Sequence, residues 1–186
     1  MANNFLNVRL LTPELLPLAE NFSSGNAYID SFIKDGDYSL NSSIGKTYVF
    51  LSESDTEIIG FYNLSVSSID RTEQVNDNLI RIRMGGAVNI NYFALDTRYH
   101  RQVQDTLPSG LKIYLSDLLL DECFERIEMI TNEHVGAAFV TLNSTKEGLH
   151  LYQRNGFEEL EDDMSFTRET SDHDCIQLYR WINEEL

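Results

Sequence analysis

Residues 46–69 place the tightest constraint on the fold of this chain: the run KTYVFLS, the polar tetrapeptide ESDT, and the run EIIGFYNLSVSSI. β-Branched and aromatic residues dominate both runs, and these side chains suit a pleated surface better than a helix. So short a polar connection turns the second run back on the first, as an antiparallel hairpin. A third run, VNINYFALD (88–96), reads as a strand, and GLKIYLSDLLLDECFERI (110–127) as a helix. On that helix Leu115, Leu118, Leu119, Cys123 and Ile127 recur at helical spacing and form its buried stripe. Between the strands, DRTEQVNDNLIRIRMGG (70–86) is polar and irregular, and reads as a loop or lid.

Upstream, LNVRLL (6–11) reads as a first strand, and Thr12-Pro13 as a cap with proline at the first helical position. In FSSGNAYIDSFIKDGDYSL, Tyr28, Ile29, Phe32 and Ile33 give a second helix one apolar face. Downstream come a strand in VGAAFVTL (135–142), a short helix in GLHLYQRNGF carrying an exposed Tyr152 and stopped by Gly156, and a closing strand pair near FEEL and DCIQLYRWI. The acidic stretch EELEDD (158–163) reads as a solvated turn between those last strands. The expected order is β-α-α-β-β-β-α-β-α-β-β: an α/β (α+β) chain with a mixed sheet, in one domain spanning 1–186.

An apolar fraction of 42% with 11% aromatics belongs to a globular chain and excludes a disordered one. The apolar runs are too short to span a membrane, and MANNFLNVRLL has no leader pattern, so a cytoplasmic protein is expected. Two cysteines far apart and four histidines without HExxH spacing point to no metal. The formal charge of −16, from 30 acidic and 14 basic side chains, repels phosphate backbones and attracts cations. Nucleic acid is therefore disfavoured as a partner, and an amine-bearing substrate, small molecule or protein, is favoured.

This order, with LYQRNGF at its end, resembles the GNAT superfamily of acyl-CoA N-acyltransferases over nearly the whole chain. LYQRNGF is similar to the family's Tyr-x-x-x-Gly-Phe, and INYFALD to its fourth strand. FSSGNAYIDSFIKD with the following hairpin resembles the branch containing acetyltransferase toxins of toxin–antitoxin pairs. The resemblance implies a mostly antiparallel, twisted sheet with a splayed V between central strands, and helices on both faces. It implies acetyl-CoA as co-substrate, held by the main chain of Phe93, Ala94 and Leu95, with the Leu95 N–H as oxyanion donor. Tyr152 is then the general acid for the departing thiolate.

At the coenzyme's pyrophosphate the family uses Arg/Gln-x-x-Gly-x-Gly/Ala. Here the chain reads RYHRQVQDTLPSGLKIYLSDLLL, with an insertion QVQDTLPSG and with Tyr114 and Ser116 at the glycine positions. Lys112, Tyr114, Leu115 and Ser116 are the implied cofactor contacts there, with Arg101 and His100 flanking. Thr145 stands where relatives have an asparagine on the pantetheine arm. Asp96, His100 and Glu147 are candidate bases, with water as the alternative. The readings that follow are an N-acetyltransferase, a GNAT-fold binding or regulatory module that has lost the coenzyme, and a toxin-type acetyltransferase. A homodimer is compatible with each.

Overall fold

A computed structural model describes residues 6–166 and 175–183. The segment 1–5, His173 and Asp174, all part of the sequence reading, lie outside the described residues. In chain order the elements are β1 (Val8–Leu10), a 3₁₀ helix (Leu16–Asn21), α1 (Ala27–Lys34), α2 (Gly36–Ser39), β2 (Lys46–Leu51), β3 (Ile58–Val75) and β4 (Asn78–Leu95). A 3₁₀ turn (Thr97–Tyr99), β5 (Val103–Thr106), β6 (Lys112–Tyr114), α3 (Leu115–Glu133), β7 (Phe139–Ser144), α4 (Leu149–Arg154), β8 (Glu158–Glu159), β9 (Met164–Phe166) and β10 (Ile176–Trp181) follow. The fold is mixed α/β with a mostly antiparallel sheet: the one parallel register described joins β4 to β7.

The chain forms two compact units, Met1–Leu64 with Asn91–Arg126, and Ser65–Ile90 with Ile127–Leu186; β3, β4 and α3 each contribute to both. In the first unit β1 pairs β2, and β2 pairs β3 from Lys46↔Leu64 to Leu51↔Ile58. Its core gathers Leu11, Ala19, Phe22, Phe32, Ile33, Val49, Leu51, Ile58, Phe61 and Ala94. Asn26 starts α1 by accepting the N–H groups of Tyr28 and Ile29, and Asp35 both ends α1 and caps α2. Phe32 and Ile33 are buried, but Tyr28 is 71% exposed and does not belong to the expected apolar face.

In the second unit β4 and β7 run parallel from Ala87↔Phe139 to Ile90↔Leu142, while β4 itself continues to Leu95. β10 lies antiparallel between β7 and β8, and β9 pairs β3 at Ile69–Arg71. Ile69, Ala87, Phe139, Met164, Phe166 and Tyr179 form this unit's core.

Several expectations need correction. Residues 70–86 are not a loop: β3 and β4 extend through them and meet at Asn76-Asp77, with φ of 49° and 64°. Two consecutive left-handed residues make a type I′ connection, which Asn and Asp tolerate better than most side chains. The helix expected from 110 begins only at Leu115, because Gly110 (φ 85°) closes a hairpin in which β5 pairs β6. The buried stripe of α3 includes Leu120, and Leu118 is only half-buried. Thr12-Pro13 opens a turn, with the Leu15 and Leu16 N–H groups on the Thr12 carbonyl, and the helix after it is 3₁₀ with Pro17 at its start.

The stretch 158–163 is only partly a solvated turn. Glu158 and Glu159 pair with β10, and Glu161 and Asp163 hold Arg71 at 2.7 and 3.1 Å.

Candidate active site

In the first unit, the end of β4 carries Phe93, Ala94 and Leu95. Ala94 and Leu95 are buried, and the Asp96 N–H donates to the Ile59 carbonyl of β3 at 2.8 Å. Because antiparallel strands direct alternate residues' main-chain groups to opposite edges, the Leu95 N–H points away from β3. The His100 ring lies 3.0 Å from the Leu95 carbonyl through Nε2. A carbonyl only accepts, so that nitrogen carries the proton.

Asp96 begins the 3₁₀ turn, receiving the Arg98 N–H at 3.0 Å, the Arg98 Nε at 2.8 Å and the Ser23 N–H at 3.1 Å. Burial pushes its pKa up, but these hydrogen bonds and the guanidinium charge outweigh it and hold the carboxyl below its usual value. Arg98 is gripped in turn by Glu57 at 2.7 Å, which also accepts the Tyr99 hydroxyl at 2.7 Å. A carboxylate so committed is a poor proton acceptor. Asp96 shapes the exit from β4 and leaves the set of candidate bases.

At the N-terminus of α3 the Tyr114 N–H donates to Asp117 Oδ2 at 2.8 Å, and the Leu115 N–H to the Gln102 carbonyl at 3.0 Å. The main-chain donors expected to meet a pyrophosphate at these two positions are thus engaged within the chain, one of them by a carboxylate. Lys112 is exposed, Ser116 half-buried and Arg101 exposed with φ 59°. Asp117 and Gln102 were missed because their roles depend on the β5–β6 hairpin. The Asp three residues beyond Tyr114 was the only available signal.

In the second unit, α4 carries Tyr152. Tyr152 is not exposed: it is 8% accessible, and its ring meets Phe157 edge-on at 5.6 Å. The ring leans back over the preceding turn, so that a Cβ on Gly148 would come within 3.4 Å of it. Gly156, at φ 81°, lets the Phe157 N–H return to the Tyr152 carbonyl at 3.1 Å, which ends the helix. The Thr145 hydroxyl accepts the Gly148 N–H at 3.3 Å and so helps open the same turn. Glu147 is exposed. Among the described residues no three His, Cys, Asp or Glu side chains gather as for a metal, and no helix is long and apolar enough to cross a membrane.

No family model and no curated protein sequence matches the chain. Solved structures do. A tyrosine-to-phenylalanine mutant of the toxin AtaT, bound to the C-terminus of the antitoxin AtaR and acetyl-CoA, matches with TM-score 0.61 at 14% identity, covering 95% of this chain and 93% of that one. AtaT complexed with acetyl-methionyl-tRNAfMet matches with TM-score 0.63 at 14% identity, over 92% and 93%. A GNAT-family acetyltransferase from Staphylococcus aureus Mu50 matches with TM-score 0.57 at 14% identity, over 96% and 99%. At these identities the likeness is one of fold: the chain has the GNAT acetyltransferase fold, close to that of the toxin–antitoxin acetyltransferases.

Proposed function

We propose that this protein transfers the acetyl group of acetyl-CoA to a primary amine by direct attack. The observation that carries the reading is the fold, which over at least 92% of the chain is that of proteins solved as acetyltransferases. Tyr152 on α4 and Leu95 at the end of β4 are the residues to which the sequence resemblance assigns the chemistry. In this reading the pantetheine arm adds alongside the end of β4 through the main chain of Phe93, Ala94 and Leu95. The neutral amine attacks the thioester carbonyl, and the Leu95 N–H donates to the resulting oxyanion. As the tetrahedral intermediate collapses, the C–S bond breaks and the Tyr152 hydroxyl gives its proton to the thiolate. The proton leaving the ammonium goes to water, or to His100 through Nδ1, since Nε2 faces the Leu95 carbonyl. Lys112 and the Ser116 N–H receive phosphate oxygens, and the Thr145 hydroxyl donates to the arm.

The neighbours favour a second, narrower reading, a toxin-type acetyltransferase acting on an aminoacyl-tRNA with an antitoxin as protein partner. The net charge of −16 was taken above to disfavour nucleic acid. With an AtaT–tRNA complex on the same fold, that exclusion finds no support. The binding-module alternative draws on the engagement of Tyr114 by Asp117.

A thermal shift with acetyl-CoA, followed by turnover of Tyr152→Phe, separates these readings. A ligand at about 100 Kd stabilises by roughly 2.7 kcal/mol, and no shift at millimolar acetyl-CoA leaves the binding module standing. With an acceptor in hand, Tyr152→Phe keeps coenzyme affinity and loses about 10²-fold or more in thiol release. An unchanged rate removes Tyr152 from the chemistry.

A further inference from the structure

The β5–β6 hairpin changes what the start of α3 can offer a ligand. A phosphate is held at a helix N-terminus by successive N–H groups that converge on it from an open turn. No open turn precedes this helix. β6 pairs β5 from Val103↔Tyr114 to Thr106↔Lys112, and α3 begins at the next residue, Leu115. The hairpin is closed by its own main chain: the Leu107 N–H donates to the Leu111 carbonyl and the Gly110 N–H to the Leu107 carbonyl, both at 2.8 Å. Extended backbone sends successive N–H groups to opposite edges, so Lys112, Ile113 and Tyr114 do not aim theirs at one point. The Tyr114 N–H is already on Asp117 Oδ2 at 2.8 Å, and the Leu115 N–H on the Gln102 carbonyl at 3.0 Å. A carboxylate three residues into a helix, reaching back to the residue before it, is the reciprocal half of a capping box. Asp117 thus satisfies the helix end that a phosphate would otherwise satisfy, and does so with a negative charge.

Charge points the same way. From His100 to Asp117 the carboxylates Asp105 and Asp117 balance Arg101 and Lys112, and the chain as a whole carries −16. Coenzyme A is a polyanion at its nucleotide end, with a pyrophosphate and a ribose phosphate, and an uncharged amide chain along its pantetheine arm. A phosphate oxygen taking the Tyr114 N–H would lie beside the Asp117 carboxylate, and like charges so close repel. The arm asks for something else: main-chain groups at the end of β4, where the Leu95 N–H points away from β3. We infer that this protein selects its acyl donor by the pantetheine arm and not by the nucleotide, so that an acyl thioester of pantetheine binds about as well as acetyl-CoA. The inference rests on the acyltransferase reading above and says which part of the donor is recognised. The Lys112 and Ser116 contacts of that reading then add little to affinity.

Calorimetric titration of the full chain with acetyl-CoA, with S-acetylpantetheine, and with adenosine bisphosphate as the nucleotide half alone, tests this without an acceptor amine. The two thioesters bind with Kd values within about threefold of each other, and the bisphosphate neither binds nor competes. Added salt does not weaken acetyl-CoA binding, as it would if phosphate contacts held the coenzyme. Asp117→Asn keeps a carbonyl oxygen for the Tyr114 N–H and removes the charge. It tightens acetyl-CoA by about five- to tenfold and leaves S-acetylpantetheine unchanged, whereas a purely structural aspartate would move both thioesters alike. Three results overturn the inference while leaving the acyltransferase reading in place: acetyl-CoA binding more than about tenfold tighter than S-acetylpantetheine, competition by the bisphosphate, or an Asp117→Asn chain that binds both thioesters as the parent does. If neither thioester binds, that reading falls and the inference falls with it.

Discussion

β3 and β4 meet opposite fates at their two ends. From Ile58 to Leu64 every residue of β3 is buried, whereas from Thr72 to Val75 every residue is exposed. At the first end Phe61 sits between Phe22, edge-on at 5.4 Å, and Phe32, stacked at 6.1 Å. Gly60 is pressed so closely that an added Cβ would fall within 3 Å of Leu95, the Ala94 carbonyl and Leu119. At the other end the ribbon of β3 and β4 is held by main-chain pairing and by ion pairs to Asp70. The sequence carries the difference as pattern: IIGFYNL is nearly continuous in apolar residues, as in a strand covered on both faces, while NLIRIRM alternates. β-Structure thus needs no core along its whole length, provided a packed end fixes the register.

The sharpest way to break this comparison is to truncate one side chain at each end. Phe61→Ala opens a cavity in a closed aromatic cluster and lowers stability by about 3–5 kcal/mol. Ile80→Ala changes stability by no more than about 0.5 kcal/mol. Urea denaturation of both variants reads the difference directly. Similar losses at the two ends would mean that the ribbon is packed against something in solution.

A smaller effect sharpens what covering means at the packed end. Tyr62, fully buried, donates its hydroxyl to Glu122 Oε2 at 2.6 Å and accepts from Arg126 Nε at 2.7 Å, and the guanidinium lies 4.3 Å from the centre of the Tyr48 ring. Burial, with the Glu122 carboxylate beside it, pushes the phenol's pKa far above its ordinary value, so it stays a neutral donor at any working pH. Tyr62→Phe removes one donor and one acceptor together but leaves the Glu122–Arg126 pair intact. The expected loss is about 1–3 kcal/mol, measured by the same titration. A larger loss would mean that the ion pair depends on the hydroxyl for its geometry.

Much of this was legible in the sequence, for identifiable reasons. The β2–β3 hairpin, the fourth strand, α1 and α3, and the turn closed by Gly156 announce themselves through local periodicity and turn residues. The ribbon did not, because Asn-Asp is a weaker hairpin signal than Asn-Gly and the strands beside it bury nothing. Nor did the β5–β6 hairpin, whose LPSG turn interrupts what otherwise continues the pattern of α3. At the site, the strand bearing Phe93, Ala94 and Leu95 and the helix bearing Tyr152 were foreseen, whereas Lys112 and Tyr114 lie on β6 and not on the expected helix, and Tyr152 is buried where exposure was expected. The partners that commit Asp96 and Tyr114 come from segments whose approach only the tertiary fold decides.

The mildest test concerns the turn that makes the ribbon a ribbon. Asn76 and Asp77 both sit at positive φ, at 49° and 64°. An L-residue other than glycine pays roughly 1–2 kcal/mol there, less for Asn and Asp, whose side chains bond locally. Asp77→Gly relieves that strain and gives the Asn-Gly pair preferred in type I′ turns. Glycine also widens the conformational freedom of the unfolded chain, which takes back about 0.5–1 kcal/mol. The two effects nearly cancel, so the variant should be more stable by no more than about 0.5 kcal/mol. Hydrogen exchange is the more telling readout: relieving the turn slows exchange at the amides of the pair that flanks it, Val75 and Asn78, and leaves Phe61 and Tyr62 unchanged. If exchange at Val75 and Asn78 speeds up, the segment is closed by some other turn, and the alternation that sets Ile80 and Ile82 on one face no longer holds.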